Sequence, residues 1–354
     1  MQTFPKYKAA AAHIAPVFND VARTVAKACD FISEAAAKGV RLIAFPEAFL
    51  PGYPLWARVA PPTESESFFF DMAKCALLVD GPELGLIRQA AQQHNMFVSI
   101  GFNERSPVSV GCIWNSNVFI GADGSILNHH RKLVPTSFEK LVYANGDGAG
   151  IRVSDTEIGR IGMLICGENT NPLARYALMA DGEQVHICSY PSVTAARTPD
   201  GKGAYDLQSG IRIRAAGHAF EAKAYNIVSS TFYDSTQRAC LEPFGEEMLA
   251  RFDAGSRTVS MIIGPKGESI AEELSTEEGL VIAEIDLSLA VELKRLHDVV
   301  GYYNRFDVFK LTVDRRANRP VAFIDDKPIR PVVDGGSPRE RGDHDEFPQE
   351  GRPI

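Results

Sequence analysis

The sequence predicts an α/β domain with a mixed sheet, and three observations carry that expectation. Short apolar runs such as "VRLIAF" and "QVHICSY" alternate with segments of helical periodicity, the pattern of strands joined by helical crossovers. At two places consecutive strand-like runs are joined by a short turn instead, which makes antiparallel neighbours. The 354 residues, 45% of them hydrophobic, supply a sizeable core just beyond the roughly 250–300 residues at which single cores stop growing. One large domain with a tail and two domains both fit that length.

The first unit reads strand, helix, strand. "KAAAAHI" is the strand; Asn19 or Asp20 caps a helix whose stripe is Val21, Val25, Ala28, Ile32 and Ala36, and Gly39 stops it. "VRLIAF" follows as a short buried strand ending at Pro46, and Cys29, beside the stripe, is assigned to the core. A helix over "PELGLIRQAAQQHN" and a strand "MFVSIGFNE" come next. "WNSNVFIG" turns at Ala122-Asp123-Gly124 into "SILNHHRK" as a hairpin, and "IRVSD" with "RIGMLIC" forms another. Asn171-Pro172 opens a helix with proline at its first position. "QVHICSY", a long helix near residues 205 to 223, "YNIVSSTFY", "TVSMIIGPKGES" and "LVIAEIDL" complete the alternation, with no visible internal repeat.

Residues 1–313 are therefore read as the folded α/β domain and 314–354 as a polar, Pro/Gly-rich tail, disordered or ordering only against another subunit. A formal charge of −8 argues against a nucleic-acid or anionic-membrane partner, since both demand a basic face. A small molecule or a protein fits better. The six cysteines are scattered with no CxxC pair, which suggests neither a zinc knuckle nor a thioredoxin-like site and is consistent with a reduced, cytoplasmic protein. No signal peptide or transmembrane helix is expected, because apolar runs fall short of the ~20 residues that span a bilayer.

Three polar residues stand where apolar strands end. "LIAFPEAFLPGYP" puts Glu47 after one strand, "NHHRKLVPT" puts Lys132 after another, and "GMLICGEN" puts Cys166 after a third. Loops beyond strand ends are where α/β folds hold ligands and reacting side chains. Each alone has an ordinary reading: a small buried thiol, a solvated carboxylate, one basic face. Together they make a complete set for attack on an unsaturated carbon, with a thiol nucleophile, a carboxylate to take its proton and a cation for charge developing on nitrogen or oxygen. The helix beginning near Pro172 would favour the thiolate if its N-terminus pointed inward. A Cys–His pairing would call on His130 or His186, but the papain-type signature around the cysteine is absent.

At these three segments the chain resembles the nitrilase superfamily of carbon–nitrogen hydrolases, and its true nitrilase branch in particular. "FPE" with "PGYP", "RKLVPT" with "GDG", and "CGENTNPLARYALMA" with "EQVHICSYP" carry the likeness, which runs to about Leu311 in "GYYNRFDVFKL". The resemblance implies a four-layer α-β-β-α sandwich with mixed sheets and a Glu–Lys–Cys triad of Glu47, Lys132 and Cys166. It implies that Glu139, in "PTSFEK", is a second glutamate beside the triad. Glu168 and Asn169 are expected to secure the turn by hydrogen bonds. Many relatives carry Trp where this chain has Gly167, a change that opens the acyl pocket while keeping a backbone N–H. Proline is frequent in relatives at Phe306, which affects only the local C-terminal path. Tyr53, Trp56 and Tyr190 are candidates for apolar walls of the pocket, with core or interface packing as their alternative.

The implied reaction is hydrolysis of an organic nitrile to the carboxylic acid and ammonia, through a thioimidate and a thioester on Cys166. No metal or organic cofactor is expected, because water and the triad suffice. An amidase or a cyanide-converting hydrolase could use the same residues, and an assembly or binding protein on the same scaffold is the non-enzymatic rival. The resemblance also implies a homo-oligomer, a dimer or larger and in some relatives a spiral.

Overall fold

In the computed structural model, residues 4–203, 205–319 and 321 are described. The strands are β1 (Lys6–His13), β2 (Val40–Ala44), β3 (Phe97–Arg105), β4 (Ile113–Ile120), β5 (Ile126–Arg131), β6 (Ser154–Thr156), β7 (Gly159–Ile165), β8 (Val185–Tyr190), β9 (Val193–Thr194), β10 (Tyr225–Ser230), β11 (Ser256–Arg257), β12 (Met261–Ile263) and β13 (Gly279–Asp286). The helices are α1 (Val21–Ala37), α2 (Glu66–Cys75), α3 (Pro82–His94), α4 (Pro172–Ala180), α5 (Leu207–Ala222), α6 (Ser235–Ala239), α7 (Glu246–Asp253) and α8 (Leu289–Leu296).

Two mixed sheets form, not one. The first has the order β13-β1-β2-β3-β4-β5 and the second β12-β10-β8-β7-β6. In each, parallel central strands (β1, β2, β3; β7, β8, β10) are flanked by antiparallel ones. The four consecutive alanines of β1 show why this stacks into layers. Ala9 and Ala11 face the second sheet, packing with Leu42, Ala44, Ile161, Met163 and Ile187. Ala10 and Ala12 face the other way, against Val25, Ala28 and Ile32 of α1 and Leu84, Ile87 and Ala91 of α3. A strand buried on both faces reads as a continuous apolar run rather than an alternation.

On the far side, α5 presents Leu207, Ile211, Ala215 and Ala219 to Cys188, Val228 and Met261, and α4 sets Ala174, Ala177 and Leu178 against Leu164. The result is the expected four-layer α-β-β-α sandwich.

The expected punctuation is found. Asp20, not Asn19, caps α1, its Oδ1 accepting from Arg23 N at 3.0 Å, and Gly39 follows with φ +77°. Asn171 caps α4 by accepting from Leu173 N at 3.0 Å. Both expected hairpins pair antiparallel, β4 with β5 and β6 with β7. Cys29 is half-buried and packs against the core beneath α1. The helices α2, α6, α7 and α8, together with the short β9–β11 ribbon, are additions to the reading of the sequence.

The described residues through Arg319 form one compact unit. The composition changes at Asp314, yet the first residues beyond it are tied down: Arg315 pairs with Asp181 at 3.0 Å, and Asn318 N donates to Asp147 Oδ2 at 2.8 Å. The expectation of disorder or inter-subunit ordering for the rest of 314–354 lies outside the described residues. Among the described residues, no helix is long and apolar enough to cross a membrane.

Candidate active site

Lys132 and Cys166 directly follow the last residues of β5 and β7, and Glu47 stands three residues past the end of β2, so the two sheets deliver them from a rigid frame. Beside Glu47 the chain leaves β2 but stays against β3, with Leu50 N donating to Gly101 O at 3.1 Å. Gly101 is what permits that approach, since a Cβ there would lie 2.3 Å from Pro46 O and 2.7 Å from Ala48 N. Lys132 is fixed by its own N–H donating to Asn115 O at 2.8 Å.

Backbone strain collects at the same places. Ala48 (φ +47°), Ser137 (φ +53°) and Cys166 (φ +52°) all adopt the left-handed region, at about 1–2 kcal/mol each for a residue with a Cβ. One follows Glu47, one precedes Glu139 by two positions, and one is the cysteine itself. Such strain persists only where surrounding structure holds it, and it gathers at functional sites.

The side chains form one buried network. Lys132 Nζ donates to Glu47 Oε1 and to Glu139 Oε2, at 2.7 Å each. Asn115 Nδ2 donates to the same Glu47 oxygen at 2.7 Å. Glu139 accepts further from the Tyr53 hydroxyl at 2.6 Å and from Thr136 N at 2.9 Å. Glu47, Lys132 and Glu139 are all buried. Glu47 Oε2 has no hydrogen-bond partner among the described residues, so one lone-pair-bearing oxygen of a sealed carboxylate is left for a proton.

Electrostatics set the resting protonation. Burial pushes Glu47 up to about 7, with Lys132 opposing and Glu139 adding to the rise. Burial alone would lower Lys132, but Glu47, Cys166 and Glu139 hold it well above the usual lysine range. The Cys166 thiol is pushed well above its ordinary value by burial first and by Glu47 next, against Lys132. The expected thiolate stabilisation by α4 is therefore not what the site provides. A turn of 3₁₀ helix (Cys166–Thr170) separates the cysteine from α4, and Asn171 satisfies the first N–H groups of that helix. Burial and the nearby Glu47 thus favour the thiol form of Cys166.

The expected turn residues do secure the turn. Glu168 accepts from Ile165 N at 2.8 Å and pairs with His130 Nε2 at 2.9 Å; burial would raise it, but His130 and the backbone donors hold it low. Asn169 Nδ2 donates to Leu164 O and to Cys166 O. Neither histidine of the Cys–His alternative serves the thiol: His130 is taken by Glu168, and His186 by Glu183 and Asn169.

The proposed wall residues fare unequally. Tyr53 is buried with its hydroxyl committed to Glu139, which makes it part of the carboxylate network rather than an apolar wall. Trp56 stacks on Phe68 at 5.7 Å between ring centroids and packs with Met72, Ile113 and Val142; it is a core aromatic of a separate cluster. Tyr190 is fully buried at the end of β8, whose Ser189 pairs with Ile165 next to the cysteine, and its phenol is pushed up by burial and then by Cys188 and Cys166. Gly167 is closely approached from one side: a Cβ there would lie 2.9 Å from Thr136 Oγ1, which would have to give way, and would meet no other atom within 4 Å.

Asn115 and Thr136 were not singled out in the sequence. The signal for Asn115 was the polar run "NSN" inside the apolar strand "WNSNVFI", all three residues of which are buried. Among the described residues, Glu183, His186 and His218 are the one group of His, Cys, Asp and Glu close enough together to hold a metal. Both carboxylate oxygens of Glu183 already pair with ring nitrogens at 2.6 Å.

Comparison with known proteins agrees with this architecture. The family model described as carbon-nitrogen hydrolase matches residues 8–295. A nitrilase of Paraburkholderia phymatum is 33% identical over 342 residues, covering 97% of this chain and 93% of the relative. A cyanide hydratase of Botryotinia fuckeliana is 34% identical over 326 residues, covering 90% and 86%. The crystal structure of a carbon-nitrogen hydrolase from Helicobacter pylori G27 superposes with a TM-score of 0.67 at 20% identity, covering 86% of this chain and 97% of that one, a likeness of fold. With the family model matched over residues 8–295 and relatives more than 30% identical along nearly the whole chain, this protein belongs to the carbon–nitrogen hydrolase family.

Proposed function

We propose that the protein is a nitrilase, converting an organic nitrile and two waters to the carboxylic acid and ammonia. The observation that carries the reading is the unpartnered Oε2 of buried Glu47, on a carboxylate whose other oxygen is held by Lys132 and Asn115. Glu47 takes the Cys166 proton as sulfur attacks the nitrile carbon, because a thiol this far above its ordinary value supplies almost no free thiolate. Glu47 passes that proton on to the nitrile nitrogen as the C–S bond forms, giving a thioimidate and freeing the carboxylate again, and Lys132 faces the charge that develops there. A first water, deprotonated by Glu47, adds to this carbon. Loss of ammonia leaves a thioester, and a second water releases the acid and restores the thiol. If the tetrahedral adduct expels sulfur instead, the product is the amide.

Glu139 keeps Lys132 protonated and in place from the side opposite Glu47. Tyr190 and Gly167 border the acyl group, while Tyr53 and Trp56 act through the network and the core. Six free cysteines favour a reducing, cytoplasmic setting. A homo-oligomer is supported by exposed Leu173, Tyr302, Phe306 and Phe309 around a groove of about 680 Å³ beside α4, more apolar surface than a monomer usually leaves open.

Product analysis by mass spectrometry, with ammonia release, on a panel of nitriles, amides and cyanide tests the reading, with Cys166→Ala alongside. Acid from nitriles, abolished in the variant, is expected. Turnover of amides alone would make the protein an amidase, formamide from cyanide would make it a cyanide hydratase, and no turnover would favour a binding role.

A further inference from the structure

Behind the nucleophile lies a buried polar cluster that the reaction does not consume. Glu183 Oε1 pairs with His186 Nδ1 and Glu183 Oε2 with His218 Nε2, at 2.6 Å each. The two imidazoles stack with centroids 4.0 Å apart, and all three residues are buried. Room for the carboxylate exists because residue 162 is glycine: a Cβ there would lie 2.0 Å from Glu183 Oε1. The cluster does not end on itself. His186 Nε2 reaches Asn169 Oδ1 at 2.8 Å, and Asn169 Nδ2 donates to Cys166 O at 3.0 Å and Leu164 O at 3.2 Å. The Cys188 thiol also lies 3.1 Å from Asn169 Oδ1.

We propose that the Glu183–His186–Asn169 chain is a positioning device for Cys166: it fixes the orientation of the Asn169 amide, whose N–H groups hold the cysteine carbonyl and so keep the nucleophile in its left-handed backbone conformation. The orientation is the crux. An amide can present either its oxygen or its NH₂ to His186. With the carboxylate on Nδ1, that nitrogen is a donor. A neutral imidazole would then have a bare Nε2 that attracts the Asn169 NH₂, pulling it off the Cys166 carbonyl. A doubly protonated imidazole instead presents Nε2–H and requires the oxygen. Burial would lower His186, but Glu183 and, after it, Cys188 raise it to about 10. Glu183 itself is held at about 2 by the two imidazoles against burial, and His218, lowered to about 4 by burial and by charged His186, is a neutral donor. The cluster therefore carries its one cation on the imidazole that faces Asn169. Asn169 then opposes the strain at φ +52° of Cys166 from the carbonyl side.

The inference rests on Cys166 as the nucleophile, so its test reads the thiol directly and not nitrile turnover. The rate of carbamidomethylation of Cys166 by iodoacetamide at pH 7.5, followed by peptide mass spectrometry, is compared for the full chain and for His186→Phe, His186→Gln and Asn169→Asp. Glutamine can place an N–H near the Nε2 position; phenylalanine fills the volume with no donor. Asn169→Asp keeps the acceptor for His186 and removes the donors to Cys166. We expect at least tenfold slower labelling in His186→Phe and Asn169→Asp, recovery to within about threefold in His186→Gln, and no comparable change at Cys75 or Cys112. On substrate, the same loss is expected in kcat with KM little changed. If His186→Phe does not fold, Asn169→Asp, nearly isosteric, decides. Labelling at the wild-type rate in folded Asn169→Asp, or His186→Phe reacting as fast as His186→Gln, would overturn the proposal. A wild-type protein inert toward nitriles would count against the nitrilase reading while leaving these labelling ratios to be judged on their own.

Discussion

Lys132 Nζ and Glu47 Oε1 meet at 2.7 Å with both side chains sealed from solvent, and Glu139 holds the same ammonium from another side. A lone buried cation would neutralise itself. Two carboxylates around it keep it charged and leave one of them, Glu47, raised into the neutral range. That division of roles gives the first expectation.

Glu47→Gln should lower kcat by about 10²–10⁴-fold, the usual weight of a general base, with little loss of fold. The pH profile carries the sign. Glu47 is pushed up to about 7, so the base is protonated below that value and the wild-type rate should climb as pH rises through it. Lys132 stays protonated across the same range and adds no limb there. Initial rates from pH 5 to 9 should show the acid limb in wild type and lose it in Glu47→Gln.

Glu139→Gln keeps the shape of the network but removes the second anion from Lys132 and weakens the acceptor for Tyr53. Unfolding in denaturant should register a loss of about 1–3 kcal/mol, the cost of impairing a buried charge-assisted bond. kcat should fall more than KM rises. An unchanged kcat would remove Glu139 from the working site.

Gly101→Ala places a methyl 2.3 Å from Pro46 O. The segment carrying Glu47 must move, at about 1–3 kcal/mol for overpacking, and activity should fall further than stability does. Gly39→Ala is the contrast. It meets no atom within 4 Å but sits at φ +77°, so it should cost about 1–2 kcal/mol and leave kcat unchanged.

Gly167→Trp sets a bulky side chain directly after Cys166 in the chain, and its Cβ must displace Thr136 Oγ1, 2.9 Å away. The ratio of kcat/KM for a bulky aryl nitrile to that for a small aliphatic one should drop by about tenfold, in line with the ~1–3 kcal/mol that small changes in pocket volume give. Competition assays on a paired substrate mixture measure it.

The Glu183–His186 pair should shape stability against pH. Glu183 is lowered to about 2 from 4.5, so its contribution is complete above 4.5 and disappears as pH falls toward 2. His186 is raised to about 10 from 6.5, so its contribution is complete below 6.5 and is lost as pH rises toward 10. Both are in full force between about pH 4.5 and 6.5. Glu183→Gln should remove about 3–5 kcal/mol there, the cost of leaving a buried charge unpaired, and flatten the stability profile on both sides.

Much of this site was legible from residues alone because its parts sit where the polarity pattern breaks. Lys132 and Cys166 directly follow strands and Glu47 stands three residues past one, places where a polar or reactive side chain stands out from the core pattern. The residues that hold them were harder to see. Asn115 and His186 lie within strands that read as apolar, and Asn115's partner Glu47 comes from a segment far away in sequence. The division into two sheets came from the family resemblance and not from the residue pattern, since β1 shows four alanines with no hint of which face meets which layer. Tyr53 and Trp56 were placed by their loop, and a loop position cannot say whether a hydroxyl meets a ligand or Glu139. The short helices α2, α6 and α7 lack a long apolar stripe and went unread.

The most direct measurement of the central claim is the mass of the enzyme during turnover. A slowly hydrolysed aromatic nitrile is mixed with the protein, the reaction is stopped in acid within the first turnovers, and the intact chain and its peptides are weighed. The account requires an acyl adduct on the peptide containing Cys166, present in wild type, accumulating when deacylation is slowed, and absent from Cys166→Ala. Acid formed at the full rate with Cys166 unmodified, or an adduct on another cysteine, would contradict it.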